Sequence, residues 1–341
     1  MNQFSAAQRS RVTMLDVAHR AGVSKASVSR FIGEDRALLS DAIALRIEQA
    51  ISELGYRPNQ MARGLKRGRT RLIGMLVADI RNPYSIAVMH GVETACRLHG
   101  YSLVVCNTDR DDQQEARHLA NLRAYNIEGL IVNTLGHHLD QLQQLQEEMP
   151  MVLVDRKLAQ LQADLVGLDN PAAVHLAIEH LEQQGYRDLL LVSEPHDGTS
   201  SRLERSTSFH AEIVRHPALR GQVLETGAGL NAGLQTFLDS PGAGPKALFC
   251  ANGVAALAAT NALRQLDRPL FGDLGLIALD DLDWYPLVGN GITALAQPTA
   301  AIGASAFECL LKRLRGDSGP ARVVDFPAQL IVRGSTCQAR E

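Results

Sequence analysis

Between residues 24 and 30 the chain reads Ser-Lys-Ala-Ser-Val-Ser-Arg. Lys25, Ser27 and Arg30 offer donors suited to base edges and phosphates, and Ala26 offers a small apolar contact suited to a thymine methyl. A second chemistry recurs farther on, where a polar residue directly follows an apolar run: Asp155 after MVLV, Asn252 after ALFCA and Asp280 after LIAL. Carboxylates accept from hydroxyls and an amide both donates and accepts, so the three suit a polyhydroxylated ligand. Taken singly, each is more often a helix cap or a turn residue. Trp284, the only tryptophan, follows Asp280-Asp281 in a loop, where an indole either stacks on a sugar face or fills an apolar gap.

Short helices must hold the first group. Thr13-Met14-Leu15-Asp16 fits a capping box, so a helix is expected to start at Thr13. Gly22 supplies a turn and Ser24 caps a second helix, Lys25–Ile32. Ala18, Gly22 and Val28 provide the small residue, the turn glycine and the inward apolar residue that two closely crossing helices need. A third helix, Ser40 to about Leu54, places Ile43, Ile47, Ile51 and Leu54 on one face and stops at Gly55. The segment Tyr56–Gly68 has Pro58 at a helix start but is too short to hold a helix alone, so it is expected to order upon binding.

Charge divides the same way. Residues 1–71 hold thirteen Lys/Arg against six acids, a charge of +7, within a chain of 341 residues whose net charge is −3. The remainder is therefore acidic, and a basic head on an acidic body implies that the head meets a polyanion.

The stretch VTMLDVAHRAGVSKASVSRFI followed by YRPNQMARGLK resembles the headpiece and hinge of the lactose-repressor (LacI/GalR-type) family of bacterial transcription regulators. The resemblance runs from Thr13 to LIVRGST, which ends at Thr336, and is most similar to repressors of 2-ketogluconate utilisation. It implies a homodimer on pseudo-palindromic double-stranded operator DNA, with recognition helices in successive major grooves. Thr13, Ser24, Lys25, Ala26, Ser27 and Arg30 are then DNA contacts of the headpiece. Asn59, Ala62, Leu65 and Lys66 are those of the hinge: Leu65 wedges into the central minor-groove step, Ala62 lets paired hinges approach, and Lys66 reaches into the groove. Gly64 departs from the pattern, standing where a better helix former is expected. The expected divisions are a helix-turn-helix headpiece, 1–57, a hinge, 58–70, and an effector-binding and dimerisation body, 71–341.

In the body, apolar runs at Leu72–Ala78, Ser102–Cys106, Gly129–Asn133, Met151–Val154, Asp188–Val192, Ala247–Ala251 and Gly275–Leu279 alternate with helical stretches near 84–99, 111–125, 171–184, 201–215, 253–266 and 298–315. This alternation predicts α/β architecture, with parallel sheets covered by helices and enough chain for two sheets. Ligands bind beyond the carboxyl ends of such strands, where Asp155, Asn252 and Asp280 stand. The resemblance implies two Rossmann-like lobes of the periplasmic-binding-protein type, with 298–315 crossing back to the first lobe. It also places Tyr84, Arg205, Asn252, Asp280 and Gln297 at effector contacts. Arg205 offers a bidentate site for a sugar acid's carboxylate, while a neutral sugar remains open. Gly253 stands where the family usually has Asp.

Other classes fit poorly. Gly227–Gly233 spells G-x-G-x-x-x-G rather than the dinucleotide fingerprint and lies far from the body's first strand. There is no phosphate loop, no G-x-S-x-G elbow and no H-E-x-x-H pair, and His175 and His180, five apart, do not share a helix face as metal ligands. No cofactor, no metal and no catalysis are expected; a non-DNA-binding sugar-binding protein or an enzyme on the same two-lobe body is the alternative. The five cysteines, Cys96, Cys106, Cys250, Cys309 and Cys337, are scattered and expected to be reduced and buried. Apolar runs fall short of the ~20 residues that span a bilayer. The first eleven residues lack an apolar signal region, so the expected location is the cytoplasm. The five residues after Thr336 leave no room for a heptad tail, which favours a dimer.

Overall fold

The computed structural model describes residues 12–33, 35–57, 69–196, 198–268 and 273–337. The chain divides into two compact units, residues 1–70 and 71–341.

Among the described residues the first unit contains three helices: α1 (Met14–Ala21), α2 (Lys25–Ile32) and α3 (Asp41–Leu54), with a 3-10 turn at Asp35–Leu38. Gly22 closes α1 at φ 65° and Gly55 closes α3 at φ 59°, left-handed conformations that a side chain would disfavour. Val17, Ala18, Ala21, Val28, Ile47 and Ala50 form the buried centre, ringed by Ile43, Ile51 and Leu54. The small side chain of Ala18 lets α1 and α2 cross closely, as the Ala18/Gly22/Val28 spacing requires.

The second unit alternates strands and helices. Its first lobe takes β1 (Leu72–Val77), α4 (Pro83–Leu98), β2 (Ser102–Asn107), α5 (Asp112–Ala124), β3 (Gly129–Asn133), α6 (Leu139–Glu148), β4 (Met151–Val154) and β5 (Asp164–Leu168). The second takes α7 (Asn170–Gln183), β6 (Asp188–Ser193), α8 (Ser200–Arg215), β7 (Arg220–Glu225), α9 (Leu230–Asp239), β8 (Lys246–Cys250), α10 (Gly253–Gln265), β9 (Leu274–Leu279) and β10 (Thr293–Ala296). The chain then returns: α11 (Thr299–Leu314) and β11 (Val323–Phe326) join the first lobe, and β12 (Gln329–Ile331) goes back to the second.

The sheets run in the orders β11-β5-β4-β3-β1-β2 and β12-β10-β9-β8-β6-β7. All pairings are parallel except that of β12 with β10. The expected two-sheet, doubly covered architecture is present, and so is the return of 298–315. Ile302, Ala306, Phe307 and Leu310 of α11 pack among Ile73, Met75, Val88 and Val92 of the first lobe. Two glycines permit the close crossing: a Cβ on Gly303 would come within 2.3 Å of the Val88 carbonyl oxygen, and one on Gly91 within 2.6 Å of that of Ala300. Asp164 and Arg313 then lock the helix, with Nη2 2.7 Å and Nε 2.9 Å from the two carboxylate oxygens.

Strands β5, β7, β10, β11 and β12 and helices α6 and α9 go beyond the expected set. β7 and β11 lie at sheet edges and are half solvated, so their sequences lack the apolar runs that mark buried strands. Cys96, Cys106, Cys250 and Cys309 are buried, and burial pushes the Cys96 and Cys250 thiols up to about 12. Cys337 departs from the expectation: it is exposed, because it lies beyond the last buried residue, Thr336. No helix among the described residues is long and apolar enough to cross a membrane.

Candidate functional site

In the head, the caps decide what faces outward. Ser24 Oγ accepts the Ser27 backbone N–H at 3.1 Å and lies 3.0 Å from Ser27 Oγ, so α2 begins at Lys25. Val28 is fully buried on one side, while Lys25, Ala26 and Arg30 are exposed and Ser27 is half-buried. Among the described residues no acid lies within ion-pair distance of Lys25 or Arg30, whereas Arg20 is paired with Glu53 at 2.6 Å and Arg36 stands 3.7 Å from Glu48. The exposed face thus carries free donors and a methyl group. Thr13 is taken up locally: its backbone N–H and hydroxyl both donate to Asp16 Oδ2 at 2.8 Å, which holds the Asp16 carboxyl below its usual range. Asn59, Ala62, Leu65 and Lys66 lie outside the described residues.

In the body, the carboxyl ends of both sheets meet at a small polar cavity of about 20 Å³. Asn82, Tyr84, Asp155 and Arg156 line it from the first lobe. Glu194, Thr199, Ser201, Arg202, Arg205, Asn252 and Asp280 line it from the second, with Gln297 at the crossover. Post-strand positions dominate because a parallel sheet aims every following loop toward the same end.

Arg205 is deeply committed. Nε donates to Asn170 Oδ1 at 2.7 Å, Nη1 donates to the Ala251 carbonyl at 3.0 Å, and Nη2 lies 3.5 Å from Asp155 Oδ1. The expectation that it clamps a carboxylate bidentately meets an arginine already engaged along its fork. Asp280 accepts the Gly253 N–H at 2.9 Å and Gln297 Nε2 at 2.6 Å; burial nevertheless raises its carboxyl above the usual range. Asn252 caps α10 through Oδ1, 2.8 Å from the Ala255 nitrogen, and donates from Nδ2 to Glu194 Oε2 at 2.8 Å. Glu194 also pairs with Arg202 at 2.8 Å and Arg110 at 2.9 Å. Burial alone would raise its carboxyl, but Arg202, Asn252 and Arg110 together hold it below the usual range.

Arg156 differs. It is buried, its Nε and Nη1 have no hydrogen-bond partner, and its nearest acid, Asp155, stands 3.8 Å away. Burial pulls the guanidinium below its ordinary value, with Arg202 and Arg110 adding repulsion against the pull of Asp155. Seven buried polar side-chain atoms lack a partner among the described residues. Six belong to the cavity lining: Tyr84 Oη, Asp155 Oδ1, Arg156 Nε and Nη1, Thr199 Oγ1 and Gln297 Oε1. Leaving such groups unsatisfied costs about 1–3 kcal/mol each, so their convergence makes the cavity a candidate ligand site.

The structure therefore brings Tyr84, Asp155, Arg205, Asn252, Asp280 and Gln297 together. It does not bring Trp284, which packs edge-on against Tyr285 at 4.6 Å on the second lobe's core. Arg156, Glu194, Ser201 and Arg202 were missed by the sequence reasoning. Signals existed: Arg156 follows Asp155, Glu194 follows a strand, and Ser201, Arg202 and Arg205 share one helix face at spacings of three and four.

Comparison with known proteins fits this anatomy. Residues 13–59 match the bacterial regulatory proteins of the lacI family, and residues 70–330 match the periplasmic binding proteins and sugar binding domain of the LacI family. The HTH-type transcriptional regulator PtxS of Pseudomonas aeruginosa is 68% identical over 98% of this chain and 99% of its own. The HTH-type transcriptional regulator KdgR of Bacillus subtilis is 38% identical over 95% of this chain and 97% of its own. Among solved structures, the lac repressor dimer bound to operator and the anti-inducer ONPF superimposes with a TM-score of 0.83 at 22% identity, covering 95% of this chain and 99% of that one. With a regulatory headpiece and a sugar-binding-type body matched along one chain, the protein belongs to the LacI family of bacterial regulatory proteins.

Proposed function

We propose that this regulator is a homodimeric, operator-binding repressor whose effector is a sugar acid, with 2-ketogluconate the ligand of choice, and that Arg156 receives the ligand's carboxylate. The protein is a DNA-binding transcription regulator, the description that its relatives share. The observation that carries the effector reading is the buried Arg156 guanidinium with two free N–H donors beside a cavity of free hydroxyl and carbonyl groups. Arg205, Arg202 and Arg110 already have acids or carbonyls as partners; among the described arginines lining the cavity, Arg156 has N–H donors to spare for an anion. Tyr84, Asp155, Thr199 and Gln297 supply the donors and acceptors for sugar hydroxyls.

On DNA, the +7 head supplies sequence-independent attraction, and Lys25, Ala26, Ser27 and Arg30 read bases in the major groove. The headpiece spans 1–57, the hinge 58–70 and the sensing body 71–341. The cavity is too tight to admit a hexose as it stands, so the lobes part and reclose around the ligand, which changes the hinge separation and the ease of ordering Leu65 in the minor groove. Couplings of this kind amount to about 1–3 kcal/mol, roughly 5–150-fold in affinity. A duplex target places the protein in the cytoplasm.

Calorimetry with 2-ketogluconate and neutral hexoses tests the reading. The sugar acid is expected to bind and the neutral sugars to bind at least about 10-fold more weakly, a difference of about 1.4 kcal/mol. Arg156→Met should erase that preference while operator binding without effector stays unchanged. Equal affinity for neutral sugars, or an unaltered preference in Arg156→Met, rejects the assignment.

A further inference from the structure

Helices α7 and α8 pack side by side. Away from the cleft they bring together a set of donors that do not line the candidate effector site. Glu212 sits on the last turn of α8, and His216 follows four residues later at its cap, on the same face. His175 reaches across from α7. Both rings point at one carboxylate oxygen: Glu212 Oε2 lies 2.9 Å from His175 Nδ1 and 3.5 Å from His216 Nε2. All three donor atoms fall within 4.8 Å of one another. Zn–N and Zn–O bonds of about 2.0–2.2 Å at tetrahedral angles place neighbouring donors roughly 3.3–3.5 Å apart, so the three need only small shifts to share one ion.

The surroundings hold these donors in the orientation that ligation needs. His216 Nδ1 stands 2.6 Å from Glu182 Oε2, which turns its Nε2 lone pair inward. His175 Nε2 faces Glu179 Oε2 at 3.9 Å. His216 thus has a hydrogen-bonded carboxylate behind it, the arrangement that fixes tautomer and ring orientation in metal sites, and His175 has one within ion-pair range. Arg215 Nη1 donates to Glu212 Oε1 at 2.5 Å and so pins one oxygen while Oε2 faces the rings. With neutral rings, Glu179, Glu182 and Glu212 against Arg215 leave two negative charges, which one dication cancels. The Glu212 carboxylate is buried, its side chain only 5% exposed, where uncompensated charge is costly. His175 is about half exposed, which gives solvent access for entry and for a water as fourth ligand. His180 takes no part, since it bonds to Thr336 Oγ1 at 2.8 Å on another side of α7.

We infer that His175, Glu212 and His216 form a binding site for one transition-metal dication, of which Zn2+ is the representative, bridging α7 and α8. Borderline-soft ions of this class favour two imidazoles and a carboxylate, whereas Ca2+ and Mg2+ require more oxygen donors.

The test uses the full chain, stripped with a chelator, dialysed and titrated calorimetrically with Zn2+ alone at pH 7.5, with Co2+ absorption as a probe of tetrahedral geometry. One equivalent per chain is expected to bind in the wild type and to raise its melting temperature. His175→Ala and His216→Ala should each weaken that equivalent at least 30-fold, and Glu182→Gln about 10-fold, as loss of a supporting carboxylate does. His175 is exposed enough to be truncated without loss of fold, so it decides the question even if Glu212→Gln fails to fold. No stoichiometric binding by the wild type, or unchanged binding in both histidine variants, overturns the site; the latter would place the metal at other histidines or cysteines.

Discussion

At the scale of single residues, two arginines on the candidate effector cleft have separable tasks. Arg205 is a frame member as well as a lining residue, because it joins Asn170 of α7 to the Ala251 carbonyl after β8. Arg205→Ala is therefore expected to abolish effector response and also to lower stability by about 2–4 kcal/mol, since it strands two buried acceptors and removes one of the cations beside Asp155. Denaturant melts alongside effector calorimetry check this; an Arg205→Ala protein of wild-type stability would mean that the bonds to Asn170 and Ala251 contribute nothing. Arg156 has no such bonds, so Arg156→Met should change ligand affinity with little change in stability.

At the scale of elements, caps and one ion pair carry most of the testable stability. Thr13→Ala removes the side-chain half of the α1 capping box, leaving the Thr13 N–H bonded to Asp16, and should destabilise the headpiece by about 1 kcal/mol. The effect should appear in the headpiece's own melting transition and leave that of the body unmoved. The crossover helix α11 is anchored by Arg313 on Asp164. Burial of Asp164 works against ionisation, yet Arg313 and the Arg322 N–H hold its carboxyl below the ordinary 3.8. A carboxyl lowered in the folded state stabilises fully above its unfolded value and loses that contribution as the pH falls through its folded value. Asp164→Asn should accordingly cost about 3 kcal/mol at pH 7. The gap from wild type should close below pH 3.8, as urea melts across pH 2.5–7 would register.

At the scale of the whole molecule, two units of opposite charge divide two tasks: the head meets DNA and the body meets a small molecule. Leu65 lies in the hinge, outside the described residues, and its role comes from the resemblance at YRPNQMARGLK. Leu65→Ser is expected to weaken operator binding at least 10-fold, because the unstacked step loses its apolar wedge, while effector affinity of the body changes by less than about 2-fold. Electrophoretic or anisotropy titrations against operator DNA, run beside effector calorimetry, separate the two. Equal damage to both would detach Leu65 from the hinge role.

Much of this was legible along the chain. Capping boxes, turn glycines and the 3.6-residue spacing of Ile43, Ile47, Ile51 and Leu54 determine α1 to α3 because each acts over a few neighbouring residues. The apolar runs of β1, β3, β4, β6, β8 and β9 announce buried parallel strands for the same local reason. Post-strand position points to Asp155, Asn252 and Asp280, and the family resemblance to Tyr84, Arg205, Asn252, Asp280 and Gln297. What only the tertiary structure decided is how residues far apart in sequence divide their bonds. Arg205 is occupied and Arg156 is free because Asn170 and Ala251 fold against one and not the other. Trp284 faces Tyr285 rather than a ligand, and His175 meets Glu212, 37 positions away, rather than His180. Hydrogen bonds and burial are settled by what the fold places within about 3 Å; spacing along the chain sets them only within a helix turn or a strand pair, and these contacts lie beyond both.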